Sequence, residues 1–481
     1  MTTTKQFSVL FFTLAVTFVF SFSAFAITLK EEEDIAKEFI SQVKAHYKIV
    51  SDPEVADYIS DLGKKVLAQY PEQPFEYNFY VIKDDIYNAF AGPGGHVFIN
   101  SGLFAALDSE EALAGIIGHE ISHVACRHIS ERIDRAGKIG LSTIAGVAAG
   151  IFMSIYGDPA AGTALTVGSI AGGRSLSLAY SRKDEVQADR VGLKYLNDAG
   201  YSGRGLIDGL TQIRSRQWFG SDQIPVYLTT HPALEDRMTY IKNWVETQEK
   251  NIEKPMKNSF EFNMAHTKVV AKYTNIQKAN TIFKNKLEQD KNDLFANYGY
   301  GIILSRTGKY DIAIDYLKRA LEKRAFHTGM IETLGRVYFD NGDYKKAKNI
   351  FEGILSIDPG NFEYNLVYNR CLAETGELDR AINGLRTFAN EENGERKAFY
   401  YLADIYARKK MMVDSYYYLG LFYKANKDTR NALIQLERAL SIVKDPVKQQ
   451  KITNQLTILK GGKKKEEPKK NVAPTSGLLH G

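Results

Sequence analysis

Five consecutive residues carry the most concentrated chemistry of the chain: His119-Glu120-Ile121-Ser122-His123. Helical residues four apart lie on one face, one turn apart, so both imidazoles can reach the same metal ion. Glu120 projects roughly 100° round the helix, beside the imidazole pair and not between them. There its carboxylate can take a proton from water next to the ion, and zinc with a carboxylate base does hydrolysis. Catalytic zinc keeps three protein ligands and one open position, so a third ligand must come from elsewhere. His128 is tempting. The long zinc motif with a third His on the same segment, however, needs Gly and His where this chain has Cys126 and Ile129. His128 is therefore set aside as a ligand and expected to cap or pack near the helix end.

A better candidate lies downstream, in Ser181-Arg182-Lys183-Asp184-Glu185-Val186-Gln187-Ala188-Asp189. Glu185 and Asp189 are again four apart and share a helical face. Glu185 can ligate the metal while Asp189 accepts the outer N–H of a liganding His and fixes its tautomer. The same spacing also fits a solvated carboxylate face, and spacing alone leaves both readings open. Asn88, Ala89 and Phe90 can form an edge strand to which an extended substrate adds, or an ordinary hairpin strand.

Around these residues the elements alternate. Residues 31 to 70 read as two helices, the second opening at Ser51-Asp52-Pro53 with a cap followed by proline. Glu76 to Ile82 alternates like a strand, and two short apolar runs flank Gly92-Pro93-Gly94-Gly95 as a hairpin would. A long helix is predicted from Ser109, its cap, to Asp134. Ile139 to Gly173 is almost uncharged and rich in Gly and Ala. It reads as a hairpin that touches a membrane peripherally, or as two buried helices shielding the site, each half being short for a span.

Beyond residue 260 the chain repeats. Ala279, Ala313, Ala347 and Ala381 are 34 residues apart, and Gly308, Gly342 and Gly376 keep the same period, as do Tyr310, Tyr344 and Leu378. That is the tetratricopeptide period, in which paired helices stack into a solenoid. Ala432 follows Ala381 by 51 residues, which suggests one distorted unit.

"GHEISH", then "SRKDEVQAD", then Thr230-His231-Pro232 with Arg237, occur in the order found in the zinc endopeptidases that include the CAAX-prenyl and HtpX-type proteases. "NAFAGPGGHVFINSGLF" upstream is similar to that family's strand segment. With repeats after the protease segment, the chain most resembles the β-barrel assembly-enhancing branch, periplasmic proteases that help outer-membrane β-barrels assemble. The resemblance implies a gluzincin-like protease domain, one Zn2+ held by His119, His123 and Glu185, and Glu120 as general base. It also implies a role for His231, as a transition-state donor or as a fourth ligand that latches the site. Arg237 is either a second donor or an ion-pair partner for a carboxylate.

The expected architecture is mainly α with a small β-hairpin or sheet: a zinc-protease domain followed by an α-solenoid. The divisions are a signal peptide, 1–26, a protease domain, 27–255, repeats, 256–458, and a basic disordered tail, 459–481. Lys5, an apolar run and Ala24-Phe25-Ala26 make a secretory signal, so the periplasm is the expected location. Cys126 and Cys371, the two cysteines, are expected to be buried free thiols. A net charge of +5 from 62 basic and 57 acidic residues gives no one-signed stripe for nucleic acid. Two functions follow. One is a protease acting on misfolded or stalled envelope proteins, its repeats docking clients or an assembly machine. The other is a chaperone or scaffold in which repeat-mediated binding dominates.

Overall fold

The computed structural model describes residues 27–135, 180–219, 226–249, 258–390 and 394–461. The expected signal peptide, the apolar segment 139–173, the division at 255/256 and the tail beyond residue 461 lie outside them. The chain forms two compact units, one to Ile303 and one from Leu304.

In the first unit, α1 (Leu29–His46) opens on a capping box in which Thr28 and Glu31 satisfy each other's backbone N–H groups. Its Ile35, Phe39 and Val43 face the core. α2 (Pro53–Leu67) starts on proline, as expected, but Asp52 caps nothing. The Asp52 carboxylate instead receives Lys268 at 2.9 Å and Lys272 at 2.7 Å. A three-stranded sheet follows: β1 (Asn78–Ile82), β2 (Ala89–Gly92) and β3 (His96–Asn100), in the order β1-β3-β2. β2 and β3 form the expected antiparallel hairpin, with Phe90 opposite Phe98, while β1 pairs with β3 in parallel. Gly94 and Gly95 turn the hairpin with φ of +69° and +83°, which L side chains rarely adopt.

After α3 (Ser101–Ala106) comes α4 (Glu110–Ala125), whose cap is Ser109, accepting from the Ala112 N–H. Every residue of α4 from Glu110 to Val124 is buried, so this is the central helix of the unit. The single helix expected to reach Asp134 is in fact two. Arg127 takes a left-handed φ of +60°, and the chain restarts as α5 (His128–Arg135). The break is held from α1: Arg127 Nη2 lies 2.9 Å from the buried Glu32 carboxylate, and Ser130 Oγ donates to it at 2.6 Å.

The remaining helices of this unit are α6 (Arg182–Asp198), α7 (Arg204–Phe219), α8 (Val226–Thr230), α9 (Leu234–Gln248), α10 (Phe260–Tyr273) and α11 (Ile276–Gln289). α6 begins on a second capping box, Ser181 with Asp184. Glycine lets the helices around α4 approach closely. A Cβ on Gly192 of α6 would sit 3.2 Å from the Gly118 carbonyl oxygen of α4, and one on Gly115 would sit 2.7 Å from the Leu206 nitrogen of α7. Leu113, Ile116, Ile121, Leu193, Leu196, Leu206 and Ile241 join one apolar core. Among the described residues no helix is long and apolar enough to cross a membrane.

α12 (Leu294–Arg306) leads to the helices of the second unit. They are α13 (Tyr310–Lys323), α14 (Thr328–Asp340), α15 (Tyr344–Leu355), α16 (Phe362–Glu374), α17 (Leu378–Arg386), α18 (Arg396–Arg408), α19 (Met412–Ala425), α20 (Thr429–Ile442) and α21 (Pro446–Leu459). The period now has a physical cause. Ala313, Ala347 and Ala381 are 0% exposed where helices touch. Gly308, Gly342 and Gly376 take left-handed φ of +73°, +83° and +88°, ending one helix before the next. Tyr310, Tyr344 and Leu378 are the first residues of α13, α15 and α17.

The irregularity expected around Ala432 falls after the α18–α19 pair, where left-handed Lys427 follows left-handed Lys410 by only half a period. Lys410 stands 34 residues after Gly376 with φ +61°, and buried Ser415 stands 34 after Ala381. The period continues there in residues that hide it. Both cysteines are free; Cys371 is buried as expected, but Cys126 is half-buried.

Candidate metal centre

α4 presents His119 and His123 on one face, and the close approach at Gly118 and Gly192 brings α6 against it, delivering Glu185. A third segment enters where the Tyr180 N–H donates to the Thr230 carbonyl at 2.9 Å. That contact ties the start of α6 to the end of α8 and seats His231 beside the other three. Ligand atoms of His119, His123, Glu185 and His231 all lie within 4.8 Å of one another, and all four residues are buried.

The separations argue for a cation among them. His119 Nε2 lies 3.0 Å from His123 Nε2 and 3.4 Å from His231 Nδ1. Glu185 Oε1 lies 3.1 Å from His231 Nδ1 and 3.4 Å from His123 Nε2. Tetrahedral zinc with bonds near 2.0–2.2 Å sets neighbouring ligand atoms about 3.3–3.5 Å apart. Imidazole nitrogens converging lone pair to lone pair repel unless a positive centre lies between them. The residues fit the ion.

Around this cluster the outer groups are ordered. Asp189 Oδ1 is 2.8 Å from His119 Nδ1. Arg237 grips both oxygens of Asp189, Nε and Nη2 each at 2.7 Å, and sets Nη1 2.6 Å from Glu185 Oε2. The Arg237 guanidinium therefore stands as the ion-pair partner of two carboxylates. His123 Nδ1 is 3.0 Å from His128 Nδ1. Two aromatic rings complete the enclosure: Tyr180 stacks on His123 at 3.7 Å and Tyr227 on His231 at 4.2 Å between centroids.

Charge states follow the burial. Desolvation holds the His123 imidazole well below its ordinary value, hence neutral, the form that ligates. For His119, burial and Arg237 push downward, but the Asp189 and Glu185 carboxylates prevail and raise it. Burial would raise Glu185, yet His231, Arg237 and the two other imidazoles hold it far below the carboxylate range. Glu120 is the exception. Burial pushes its carboxyl up against the pull of His231 and His119. Both Glu120 oxygens lack a hydrogen-bond partner among the described residues, and His231 Nε2, 3.6 Å away, lacks one too. A doubly unsatisfied buried carboxyl is costly and marks a site that works on something else.

Asn88, Ala89 and Phe90 lie at the β2 edge of the sheet, buried and against α4, and none of them enters the cluster. Sequence reasoning missed Tyr180, Tyr227 and the contact between His123 and His128. A signal existed for Tyr227, which stands four residues before His231 and so one helical turn away.

Residues 51–245 match the profile of Peptidase family M48, and residues 296–322 and 338–405 match tetratricopeptide repeats. The beta-barrel assembly-enhancing protease of Yersinia pestis is 26% identical over 327 residues, 67% of this chain and 66% of that protein. The chain thus spans just under two thirds of that relative's length. The protein of the same description in Escherichia coli K12 is 24% identical over 420 residues, 86% of this chain and 78% of that one. The mitochondrial metalloendopeptidase OMA1 of Schizosaccharomyces pombe is 26% identical over 225 residues, 46% of this chain and 62% of that one. The two imidazoles of α4, the carboxylate of α6 and the match over the segment that carries them agree. Residues 51–245 thus form a domain that matches Peptidase family M48 and carries a candidate metal site, and segments that match tetratricopeptide repeats follow it.

Proposed function

We propose that the protein is a periplasmic zinc endopeptidase that cleaves misfolded or stalled envelope proteins during outer-membrane assembly. In this reading His119, His123 and Glu185 hold the zinc and Glu120 is the general base. The observation that carries it is the unsatisfied Glu120 carboxylate, buried beside a cluster of three neutralisable ligands and an imidazole. When bound, zinc supplies a Lewis acid for the scissile carbonyl and acidifies the attacking water.

The chain's own residues do the rest. Glu120 accepts the proton of the attacking water and returns it to the leaving amine. Asp189 keeps the His119 proton on Nδ1, so that Nε2 faces the metal. Arg237 is a positioning residue: it neutralises Asp189 and Glu185, which would otherwise repel each other on one face of α6. His231 closes the site at rest as a fourth ligand, a reading supported by its Nδ1 lying among the other ligand atoms. On opening, it becomes free to donate to the developing oxyanion. The β2 edge beside α4 takes the substrate main chain at Asn88 to Phe90, where backbone pairing tolerates many sequences. The repeats dock the client or a protein of the assembly machine. The names of the Yersinia and Escherichia relatives support that assignment.

Glu120→Gln tests the reading. It should bind zinc like the parent and cleave an unfolded test protein about 10²–10⁴-fold more slowly. Undiminished cleavage would sink the assignment of the base. An unchanged cellular phenotype despite lost cleavage would favour the scaffold.

A further inference from the structure

His128, set aside as a ligand, sits in an arrangement that the zinc reading does not yet use. It is 1% exposed, and its Nδ1 faces His123 Nδ1 at 3.0 Å. Two ring nitrogens at that distance must share one proton, since two donors or two acceptors would repel. His123 directs Nε2 into the ligand cluster, 3.4 Å from Glu185 Oε1. A neutral imidazole that ligates through Nε2 carries its proton on Nδ1. His123 is therefore the donor and His128 Nδ1 the acceptor. The proton of His128 then lies on Nε2, which points at Gln187 Oε1, 3.4 Å away.

We propose that His128 is a positioning residue for the zinc site, one that fixes the tautomer and ring orientation of His123, with Gln187 fixing His128 in turn. This rests on the zinc reading above and adds a role to it. A liganding His usually donates its outer N–H to a carboxylate, a carbonyl or water. His119 does so to Asp189, whereas His123 uses a second imidazole. Both anchors trace back to α6, through Asp189 and Gln187.

The backbone break gives independent support. In one continuous helix, residues five apart are roughly 140° round and about 7.5 Å along the axis, too far for ring contact. The left-handed Arg127 turns the chain back so that the two rings meet at an interplanar angle of 68°. A non-glycine residue rarely adopts that region, because its Cβ crowds the backbone there. Glu32, gripping Arg127 and Ser130, holds the break in place. Strain of this kind persists where the surroundings over-determine it, typically at functional sites.

The test is zinc affinity of the full chain, measured by competition with a chromogenic chelator, with the melting temperature of the metal-free protein as a fold control. His128→Leu should bind zinc about 10–100-fold more weakly at an unchanged metal-free melting temperature. His128→Asn, whose amide oxygen can accept in place of Nδ1, should recover to within roughly threefold of the parent. In ¹⁵N-histidine spectra of the zinc-loaded parent and of His128→Asn, one exchange-protected imidazole proton should sit on His123 Nδ1; it should be lost in His128→Leu. Equal zinc affinity in His128→Leu and the parent would overturn the proposal. Should His128→Leu fail to fold, Gln187→Leu, at an exposed position, replaces it. A loss of about threefold or more supports the proposal, and none overturns it. If the parent itself binds no zinc, the failure belongs to the zinc reading and not to His128.

Discussion

Asp189 Oδ1 sits 2.8 Å from His119 Nδ1 while both Asp189 oxygens are held by Arg237 at 2.7 Å. One carboxylate thus serves two partners, and one of those partners faces the metal. Asp189→Asn keeps the shape but must share a neutral amide between them. Zinc affinity should fall about 10–100-fold. Chelator competition at fixed pH measures it, and an unchanged affinity would show that His119 needs no outer anchor.

His231→Ala separates the two roles considered for that residue. With Nδ1 placed among the ligand atoms, removal of the ring should open the resting site and raise cleavage of an unfolded protein, by at least about threefold if the closed form dominates. Initial rates on a fluorogenic unfolded substrate read this directly. A fall in rate would show that its donation to the oxyanion outweighs its hold on the closed site.

Acid should weaken the first unit through Asp52. Burial would raise its carboxyl, but the Lys272 and Lys268 ammonium groups prevail and hold it at about 2. Because the folded value lies below the unfolded one of about 3.9, the stabilisation is complete above that pH and fades as pH falls toward 2. It amounts to about 2 kcal/mol. Asp52→Asn should lose that much at neutral pH and show a flatter decline between pH 4 and 2 in urea titrations.

Lys410→Gly should stabilise the second unit by about 1 kcal/mol, since the position is left-handed and lysine pays a steric cost there. Thermal melts of the full chain would show the higher repeat transition. A loss would mean that the lysine side chain makes a contact worth more than the strain.

These particulars show what a sequence can and cannot display. The pair on α4 and the repeat period were legible because both depend on fixed spacing along one helix or between helix pairs. Ser109 was legible as a cap for the same reason. Arg127 was not, because "HVACRHISER" has no glycine or proline to mark a break; the contacts that hold it come from Glu32, nearly a hundred residues earlier. The carboxylate of Asp52 looked like a cap because its true partners, Lys268 and Lys272, lie over 200 residues away. The pair α18–α19 hid because lysine and serine fill positions where the pattern shows glycine and alanine. Local grammar is readable, and long-range electrostatic partners are not.

Glu185 and Asp189 stand one turn apart on α6, so a single rigid rod carries a metal-facing carboxylate and the anchor of an imidazole on another helix. Any sliding or tilting of that rod withdraws both at once. The carboxylate ligand candidate and the anchor of His119 are therefore lost or kept together. A protease that must stay harmless until a client arrives could be disarmed by moving one helix.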